Sequence, residues 1–202
     1  MQPFTTLTAI AAPIDDDNVD TDQIIPARFL LKPRAVDYGE LLFRDLRFGA
    51  AAQPTFALNL KSYRAAQIIV GSRNFGCGSS REHAAYALVD YGIRAVIAPS
   101  FGDIFRINCI KNGVLPAQVS EADAATLRAA LHRQPGTVLT VDLVHQTIAG
   151  AGNELFSFVL NAHARDQLLS GEDDVARTLA HGDAIAAFEA AHRETMPWAD
   201  PS

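Results

Sequence analysis

Short apolar runs alternate with longer amphipathic stretches through the middle of the chain. The runs at residues 67–70, 95–98 and 114–117 have the length of buried strands, while residues 80–91 and 101–111 carry apolar side chains at helical spacing. Glycine or asparagine follows both helical stretches, where helices commonly end. The alternation predicts a βαβαβ unit, in which parallel strands are joined by right-handed crossover helices.

The second half of the chain predicts a different arrangement. Residues 121–133 form another helical pattern, which a proline and a glycine end. Residues 137–144 and 155–160 have strand patterns on either side of a polar turn, and we expect these two strands to pair antiparallel. The fold class is therefore α/β, with a βαβαβ core and extra antiparallel strands.

The C-terminus is alanine-rich and predicts a helical tail over about residues 161–195. His181 and Gly182 mark a break in the helical pattern there. The length of 202 residues suits a single domain that buries a full core. We therefore expect one domain over residues 1–202 that includes the helical tail.

Composition and charge exclude several classes of protein. Hydrophobic residues make up 49% of the chain and charged residues 20%, as in ordinary soluble domains. The net charge of −6 argues against nucleic acid and anionic membranes as partners. No apolar run approaches the roughly 18 residues of a membrane span, and no basic region of a secretory signal stands at the N-terminus. The two cysteines, Cys77 and Cys109, form no disulfide framework and favour a reducing compartment, so we expect a cytoplasmic protein.

The glycine-rich stretch NFGCGSSREHA, residues 74–84, concentrates the residues that carry chemistry. It lies between a predicted strand and a predicted helix, where α/β sheets bind ligands and where free N–H groups and the helix dipole attract anions. Arg81 stands in the first helical turn although cations favour the other end of a helix, which suggests that it binds a carboxylate. A serine hydroxyl in this field would lose its proton more readily than in water and act as a base without histidine. One of Ser79 and Ser80 would abstract a proton while its neighbour and Arg81 hold an acidic substrate.

A purely structural interpretation of the same stretch is also open. Ser79 and Glu82 have the S-x-x-E spacing of a capping box, in which the serine caps the helix and the glutamate reaches back to the serine N–H. Gly76 and Gly78 would then only permit a sharp turn into the helix. A capping box, however, needs neither the second serine nor the arginine.

Other chemistries fit this stretch less well. The serines lack the glycine two positions later that a nucleophile elbow requires, and no Gly-Lys-Ser/Thr sequence provides a Walker loop. Cys77 is interpreted as a small buried thiol in preference to a thiolate nucleophile, and His83 as structural because no third zinc ligand lies nearby. Two cysteines cannot supply the three or more thiolates of an iron–sulfur cluster, so we expect no metal on this chain.

A second polar stretch lies near the N-terminus. Five aspartates and one asparagine stand between residues 15 and 22, and Ile24, Ile25 and Pro26 follow them. Sequences so rich in Asx residues favour loops whose side chains bond their own backbone. A solvated acidic loop is the simplest interpretation, and the order VDTDQIIP becomes informative only beside the stretch that contains the serines.

Three stretches together, NVDTDQIIPARFL, NFGCGSSREHA and IAPSFGDIF…NGVLP, resemble in order and spacing the small subunits of bacterial 3-isopropylmalate dehydratases. That family is the separate-chain form of the swivel domain of the aconitase superfamily, and the resemblance runs nearly end to end. It implies a swivel-type β/β/α fold. It also implies a hydro-lyase of leucine biosynthesis that isomerises 2-isopropylmalate and 3-isopropylmalate through 2-isopropylmaleate. The implied partner is a large subunit with a 4Fe-4S cluster, whose iron takes the leaving hydroxyl.

The resemblance also implies roles for individual residues. Ser79 becomes the base that removes and returns a proton, Ser80 and Arg81 bind the substrate carboxylate, and Asp22 lies at the edge of the active site. A further arginine that binds carboxylate is expected after the D-T-D string, and Arg28 is the candidate. The alternatives for this last role are Lys32 and Arg34.

Substrate choice within the hydroxy-dicarboxylates is expected to depend on the surroundings of the variable group. Phe29, Leu30 and Leu31 offer an apolar lining that suits an isopropyl group and disfavours an extra carboxylate, but they are equally consistent with core residues. Homoaconitate, citraconate and 2,3-dimethylmalate hydratases remain alternatives with the same catalytic loop. A non-catalytic anion-binding module and a serine hydrolase are the alternatives from other classes.

Overall fold

The computed structural model describes residues 1–35, 37–49, 52–150, 152 and 154–199. The strands in this part of the chain are β1 (Thr6–Pro13), β2 (Ile68–Val70), β3 (Ala95–Ala98), β4 (Leu115–Gln118), β5 (Val138–Asp142), β6 (Thr147–Ala149) and β7 (Leu155–Ser157). The α-helices are α1 (Thr21–Ile24), α2 (Arg44–Arg47), α3 (Glu82–Tyr91), α4 (Asp103–Lys111), α5 (Glu121–Arg133), α6 (Ala162–Ser170), α7 (Asp174–Leu179) and α8 (Gly182–Thr195). Short 3-10 helices span Ala27–Phe29, Tyr38–Leu41, Ala57–Asn59, Lys61–Tyr63 and Pro197–Ala199.

The strands form one seven-stranded sheet in the order β4-β3-β2-β1-β5-β6-β7. The pairs β1–β2, β2–β3 and β3–β4 are parallel, whereas β1–β5, β5–β6 and β6–β7 are antiparallel. The run β2-α3-β3-α4-β4 confirms the predicted βαβαβ core and the α/β class. The sheet thus joins a parallel half to an antiparallel half.

Two features of the sheet differ from the prediction. The central strand β1 is missing from the predicted elements. The first half of this strand mixes polar and apolar residues, because its positions are exposed or half-buried. The predicted direct pairing of residues 137–144 with 155–160 is wrong, since β6 lies between β5 and β7 and pairs with both. A strand of three residues inside a polar stretch is too short to show an alternating pattern.

Alternate residues of the parallel strands face two apolar cores. Ile69 and Val96 belong to one core together with Leu88 of α3, while Ile68 belongs to the other together with Leu127 of α5. Successive strand side chains point to opposite faces of a sheet, so both faces are filled. Every residue of β2 and β3 is buried as a result, which explains their continuous apolar sequences.

The chain divides into two compact units, Met1–Gly171 and Glu172–Ser202. The second unit contains α7, which Asp173 caps through a 2.7 Å bond from Ala176 N–H, and α8, which begins at Gly182. The break in the tail therefore falls at the predicted position, while α6 belongs to the first unit. No helix among the described residues combines the length and the apolar character needed to cross a membrane.

Candidate active site

The loops that leave β1, β2 and β3 meet at one edge of the sheet, because parallel strands end on the same side. We call residues 71–81, which follow β2, the serine loop. Gly76 N–H donates to Val19 O at 2.7 Å, Phe75 N–H donates to Ser100 O at 3.0 Å, and Gly102 N–H donates to Phe75 O at 2.9 Å. These bonds join the three sequence stretches that are far apart along the chain into one structure.

Two glycines let these loops approach each other closely. Gly76 has a φ of +74°, and a Cβ there would lie 2.1 Å from Cγ of Phe105. A Cβ on Gly102 would lie 2.4 Å from Gly76 O. Because both distances are far below van der Waals contact, larger residues would push the loops apart. Gly76 is therefore required by close packing as well as by backbone conformation, and Gly102 by close packing.

Thr21 fastens the serine loop to the acidic stretch, a role that the sequence analysis missed. Its backbone N–H donates to Cys77 O at 2.9 Å and its hydroxyl donates to Ser79 O at 2.8 Å. Asp20 caps α1, since Gln23 N–H donates to its carboxylate at 2.7 Å and the Gln23 side chain accepts from Asp20 N–H at 2.9 Å. The D-x-x-Q spacing of a capping box was the available signal.

The capping-box interpretation of Ser79 and Glu82 is wrong. Helix α3 begins at Glu82, two residues later than predicted, and its N-cap residue is Arg81, which makes no side-chain capping bond. Both Ser79 and Ser80 are exposed, and neither hydroxyl is hydrogen-bonded to any residue that the structure describes. The backbone N–H groups of residues 78–81 likewise have no acceptor within the described chain. The loop thus presents hydroxyls and donors to a ligand and does not use them to start a helix.

Arg81 and Asp22 form an ion pair beside the two serines. An Arg81 NH2 group donates to Asp22 Oδ2 at 2.7 Å, and NH1 contacts the other carboxylate oxygen. The Arg81 side chain is 12% exposed and that of Asp22 is 56% exposed. This hydrogen bond holds the pKa of the Asp22 carboxyl below its ordinary value. A partner in α1 explains why a cation stands at the start of α3.

We call residues 27–34 the cationic segment, and each of its three cations has an aspartate partner. Arg28 donates to Asp45 at 2.9 Å through NH1, and its guanidinium lies 4.6 Å from the centre of the Phe29 ring. Lys32 Nζ contacts Asp37 at 2.7 Å. Arg34 donates twice to Asp90, at 2.7 Å in both bonds. None of these side-chain bonds reaches the serine loop.

The three apolar residues of the cationic segment have different environments. Phe29 is half-buried and packs against the core that contains Ile69 and Leu88. Leu30 is half-buried, whereas Leu31 is 96% exposed. The trio is therefore neither wholly core nor wholly surface, and Leu31 is the member most available to a ligand or partner.

The cysteines and histidines of the described residues do not form a metal site. Burial raises the pKa of the Cys77 thiol, with a smaller effect from Asp20, and its Sγ lies 3.3 Å from Asn18 O. A thiol of raised pKa is a poor nucleophile at neutral pH. Cys109 is fully buried, and His83 packs edge-on against Tyr86. No group of three or more potential metal ligands is found in the part of the chain that the structure describes.

Known proteins match the chain over most of its length. The family model of the aconitase C-terminal domain matches residues 1–122, and that of the C-terminal domain of the 3-isopropylmalate dehydratase small subunit matches residues 174–202. A 3-isopropylmalate dehydratase small subunit of Rhodospirillum centenum is 48% identical over 98% of this chain and 99% of its own length. One of Paramagnetospirillum magneticum is 45% identical, with coverages of 98% and 100%. A crystal structure of 3-isopropylmalate dehydratase from Methanocaldococcus jannaschii has a TM-score of 0.64 and 28% identity, covering 89% of this chain and 99% of that one.

Proposed function

The chain belongs to the family of 3-isopropylmalate dehydratase small subunits, and on that premise we propose that it is the small subunit of a hydro-lyase that interconverts 2-isopropylmalate and 3-isopropylmalate. The reaction passes through 2-isopropylmaleate and belongs to leucine biosynthesis. One observation carries the proposal: three stretches meet at the carboxyl edge of the sheet, where two serine hydroxyls without a described partner stand beside Arg81. The names of the relatives favour isopropylmalate over homoaconitate, citraconate and 2,3-dimethylmalate.

Ser79 is the proposed base. Its carbonyl accepts from the Thr21 hydroxyl at 2.8 Å, so the backbone is fixed while the side chain remains available. Ionised Ser79 would take the proton from the carbon next to the hydroxyl-bearing carbon, the hydroxyl would depart, and a carbon–carbon double bond would form. Water then adds to the double bond with the hydroxyl on the other carbon, and Ser79 returns the proton to the carbon that first bore the hydroxyl. The free N–H groups of residues 78–81 and the nearby guanidinium favour the ionised serine.

Ser80 and Arg81 are proposed to bind a substrate carboxylate. The Asp22 carboxylate accepts from Arg81 and also from Ala27 N–H at 3.1 Å, so it lies between the serine loop and the cationic segment. We propose that Asp22, at the edge of the site, orients the Arg81 fork towards the substrate. A planar guanidinium suits a carboxylate because two parallel hydrogen bonds fix its orientation.

Arg28 remains the proposed second carboxylate ligand, with Lys32 and Arg34 as alternatives. Its binding to substrate requires an exchange of partners, since the guanidinium is paired with Asp45. Arg28 is the most suitable of the three because it is the nearest to Asp22 along the chain and its side chain is the most exposed, at 56% against 37% for Lys32 and 43% for Arg34. Phe29, Leu30 and Leu31 are the proposed lining for the isopropyl group, and the exposure of Leu31 supports a contact outside this chain.

A small subunit of this family implies a large partner subunit. The chain has two cysteines, one of them fully buried, so its residues do not fit an iron–sulfur cluster. We propose that a 4Fe-4S cluster belongs to the large subunit, where it would supply the Lewis acid for the departing hydroxyl. We further propose that the assembled enzyme is a cytoplasmic heterodimer that binds neither nucleic acid nor membrane, in keeping with the net charge of −6.

Reconstitution tests this function. The purified chain, the large subunit with its cluster, and the mixture of both are each supplied with 2-isopropylmalate, and formation of 2-isopropylmaleate and 3-isopropylmalate is followed. Only the mixture should turn over. Hydration of 2-isopropylmaleate by the isolated chain, or a mixture that prefers homoaconitate, would contradict the proposal, and ester hydrolysis by the chain alone would favour a serine hydrolase.

A further inference from the structure

The opposite edge of the parallel sheet contains a second cavity. We call it the amino-edge cavity, because Gln67 and Arg94, which line it, directly precede β2 and β3. Its volume is about 770 Å³, which lies within the range of small-molecule sites. Since β2 runs from this edge to the serine loop, the cavity is separate from Ser79, Ser80 and Arg81. Arg34, an alternative to Arg28 in the proposed function, lines this cavity.

The walls of the amino-edge cavity are fixed by the N-terminal segment. The Met1 amine donates to Gly171 O at 2.7 Å and Phe4 N–H donates to Leu168 O at 2.8 Å. The Phe4 side chain is 3% exposed and belongs to the core that contains Ile68 and Leu127. A Cβ on Gly113 would come within 3.4 Å of the Met1 sulfur, so the segment also lies close to the end of α4. The cavity is therefore part of the packed structure of the first unit.

The lining of the cavity is positive. Its described residues include no aspartate or glutamate, and the positively charged groups among them are the Met1 amine, Arg34, Arg94 and Lys111. The aspartate that pairs with Arg34 is Asp90, which is not part of the lining. A concentration of positive charge is unexpected in a chain whose net charge is −6. A low-dielectric cavity lined by one sign of charge attracts ions of the other sign.

Among the described residues, only neutral groups accept hydrogen bonds from the Arg94 guanidinium. Its NH2 group donates to Gln2 O at 3.2 Å and its NH1 group to the Gln2 side-chain oxygen, both of them neutral acceptors. Its Nε atom is buried and has no hydrogen-bond partner among the described residues. No carboxylate of a described residue offsets the burial, which lowers the pKa of the guanidinium. A half-buried charge without a counterion is costly to the folded protein, and a bound anion would relieve that cost.

We propose that the amino-edge cavity binds a small oxyanion, of the size of a dicarboxylate or inorganic phosphate, with Arg94 as its principal charged ligand. Phe4 forms the apolar wall beside the Arg94 guanidinium, which lies 5.7 Å from the centre of the Phe4 ring. The anion occupies this edge independently of substrate at the serine loop. Its binding stabilises the folded chain, because it attaches to the native N-terminal segment and not to the unfolded state.

Calorimetric titration of the full chain with malonate and with phosphate tests the proposal, at constant ionic strength in a chloride buffer. Arg81→Gln removes the cation of the candidate active site and should retain binding of one anion. Arg94→Gln should weaken that binding at least tenfold, while Arg94→Lys should keep part of it. The stronger of the two probes identifies whether the cavity suits a carboxylate or a phosphate. Equal affinity in Arg81→Gln and in the double variant Arg81→Gln/Arg94→Gln, or no binding of either probe by Arg81→Gln, would overturn the proposal.

A second readout covers the case in which Arg94→Gln loosens the N-terminal segment. The Arg94 Nε–H resonance of the wild-type chain is followed by NMR during the same titration, together with the Gly113 amide. Both should shift with the affinity measured by calorimetry, and the Ser79 and Ser80 amides should not follow them in the Arg81→Gln chain. Shifts confined to the serine loop would overturn the proposal, whatever the stability of the Arg94 variant.

Discussion

The serine loop and the cationic segment both carry arginine, but they are held in place in opposite ways. The backbone of the serine loop is bonded to distant stretches, including Val19 and Ser100, while the Ser79 and Ser80 hydroxyls have no partner among the described residues. The backbone of the cationic segment has local bonds, such as Phe29 N–H to Pro26 O at 2.9 Å, while its cations are paired with aspartates. The first region therefore presents available Ser79 and Ser80 hydroxyls on a fixed backbone, although Arg81 beside them is paired with Asp22. In the second region every cation is engaged on a locally held backbone.

This difference determines what each region can contribute to a reaction. Groups that are fixed before the substrate arrives cost no reorganisation in the transition state, which is the requirement for catalysis. Groups that must first leave an ion pair pay for that exchange and suit binding or substrate selection better. We therefore expect the largest kinetic effects from the Ser79 hydroxyl and smaller, selective effects from the paired cations of the cationic segment.

The largest effect is expected from Ser79→Ala in the reconstituted enzyme. Removing a base should lower turnover by about 10²–10⁴-fold, while substrate still binds. The matched control is Ser120→Ala, which removes a genuine helix cap, since Ser120 Oγ accepts from Asp123 N–H at 3.0 Å. That variant should lose about 1 kcal/mol of stability and keep its rate. Kinetics and thermal unfolding of both variants check the prediction, and a Ser79 variant that loses stability but not rate would contradict it.

The fixed backbone of the serine loop is tested by Gly76→Ala. The new Cβ would lie 2.1 Å from the Phe105 ring at a φ of +74°, so strain and overpacking should cost about 2–4 kcal/mol of unfolding free energy. Gly49→Ala is the control, because Gly49 has a φ of +92° and nothing within 4 Å of the added atom. Gly49→Ala should lose only the unfolding free energy that the unfavourable φ costs, about 1–2 kcal/mol. Equal losses in urea unfolding would mean that the loops are not tightly packed.

Arg81→Lys is expected to have an intermediate effect. Lysine keeps the positive charge but lacks the planar fork, so carboxylate orientation should suffer and kcat/KM should fall about 10- to 100-fold. Binding of the large subunit should be unchanged, which size-exclusion chromatography of the mixture verifies. The comparison variant is Arg34→Lys in the cationic segment, where the wild-type Arg34 guanidinium is bonded to Asp90. If Arg34→Lys lowers kcat/KM as much as Arg81→Lys, the expected difference between the serine loop and the cationic segment is contradicted.

The smallest effect is expected from Leu30→Arg and Leu31→Arg. Each replaces an apolar contact, worth about 0.8 kcal/mol per buried CH₂, with a cation. Turnover of isopropylmalate should fall severalfold and relative activity towards a tricarboxylate should rise. Leu155→Arg, at a site on β7 that is 68% exposed, controls for surface charge. Unchanged preference in both variants would place substrate selection outside the cationic segment.

The sequence predicts local features of this protein better than the contacts between distant residues. The alternation of apolar runs and amphipathic stretches was sufficient for β2, α3, β3, α4 and β4, because each pattern lies within one element. The Arg81–Asp22 pair joins residues 59 positions apart, and Thr21 contacts Ser79 across 58. No periodicity reports such contacts. The family resemblance implies one site for Asp22, Ser79 and Arg81, but the contacts among them and the late start of α3 are visible only in the structure.

The measurement that tests the central claim most directly is the release of deuterium from substrate by the reconstituted Ser79→Ala enzyme. The label is placed on the methylene carbon of 2-isopropylmalate, next to the hydroxyl-bearing carbon, and its loss from that carbon, to water or to the neighbouring carbon of the product, reports proton removal alone. If Ser79 is the base, Ser120→Ala releases deuterium at the wild-type rate and Ser79→Ala, with substrate bound, releases almost none. Release by Ser79→Ala at a rate close to that of the wild type would show that another group removes the proton.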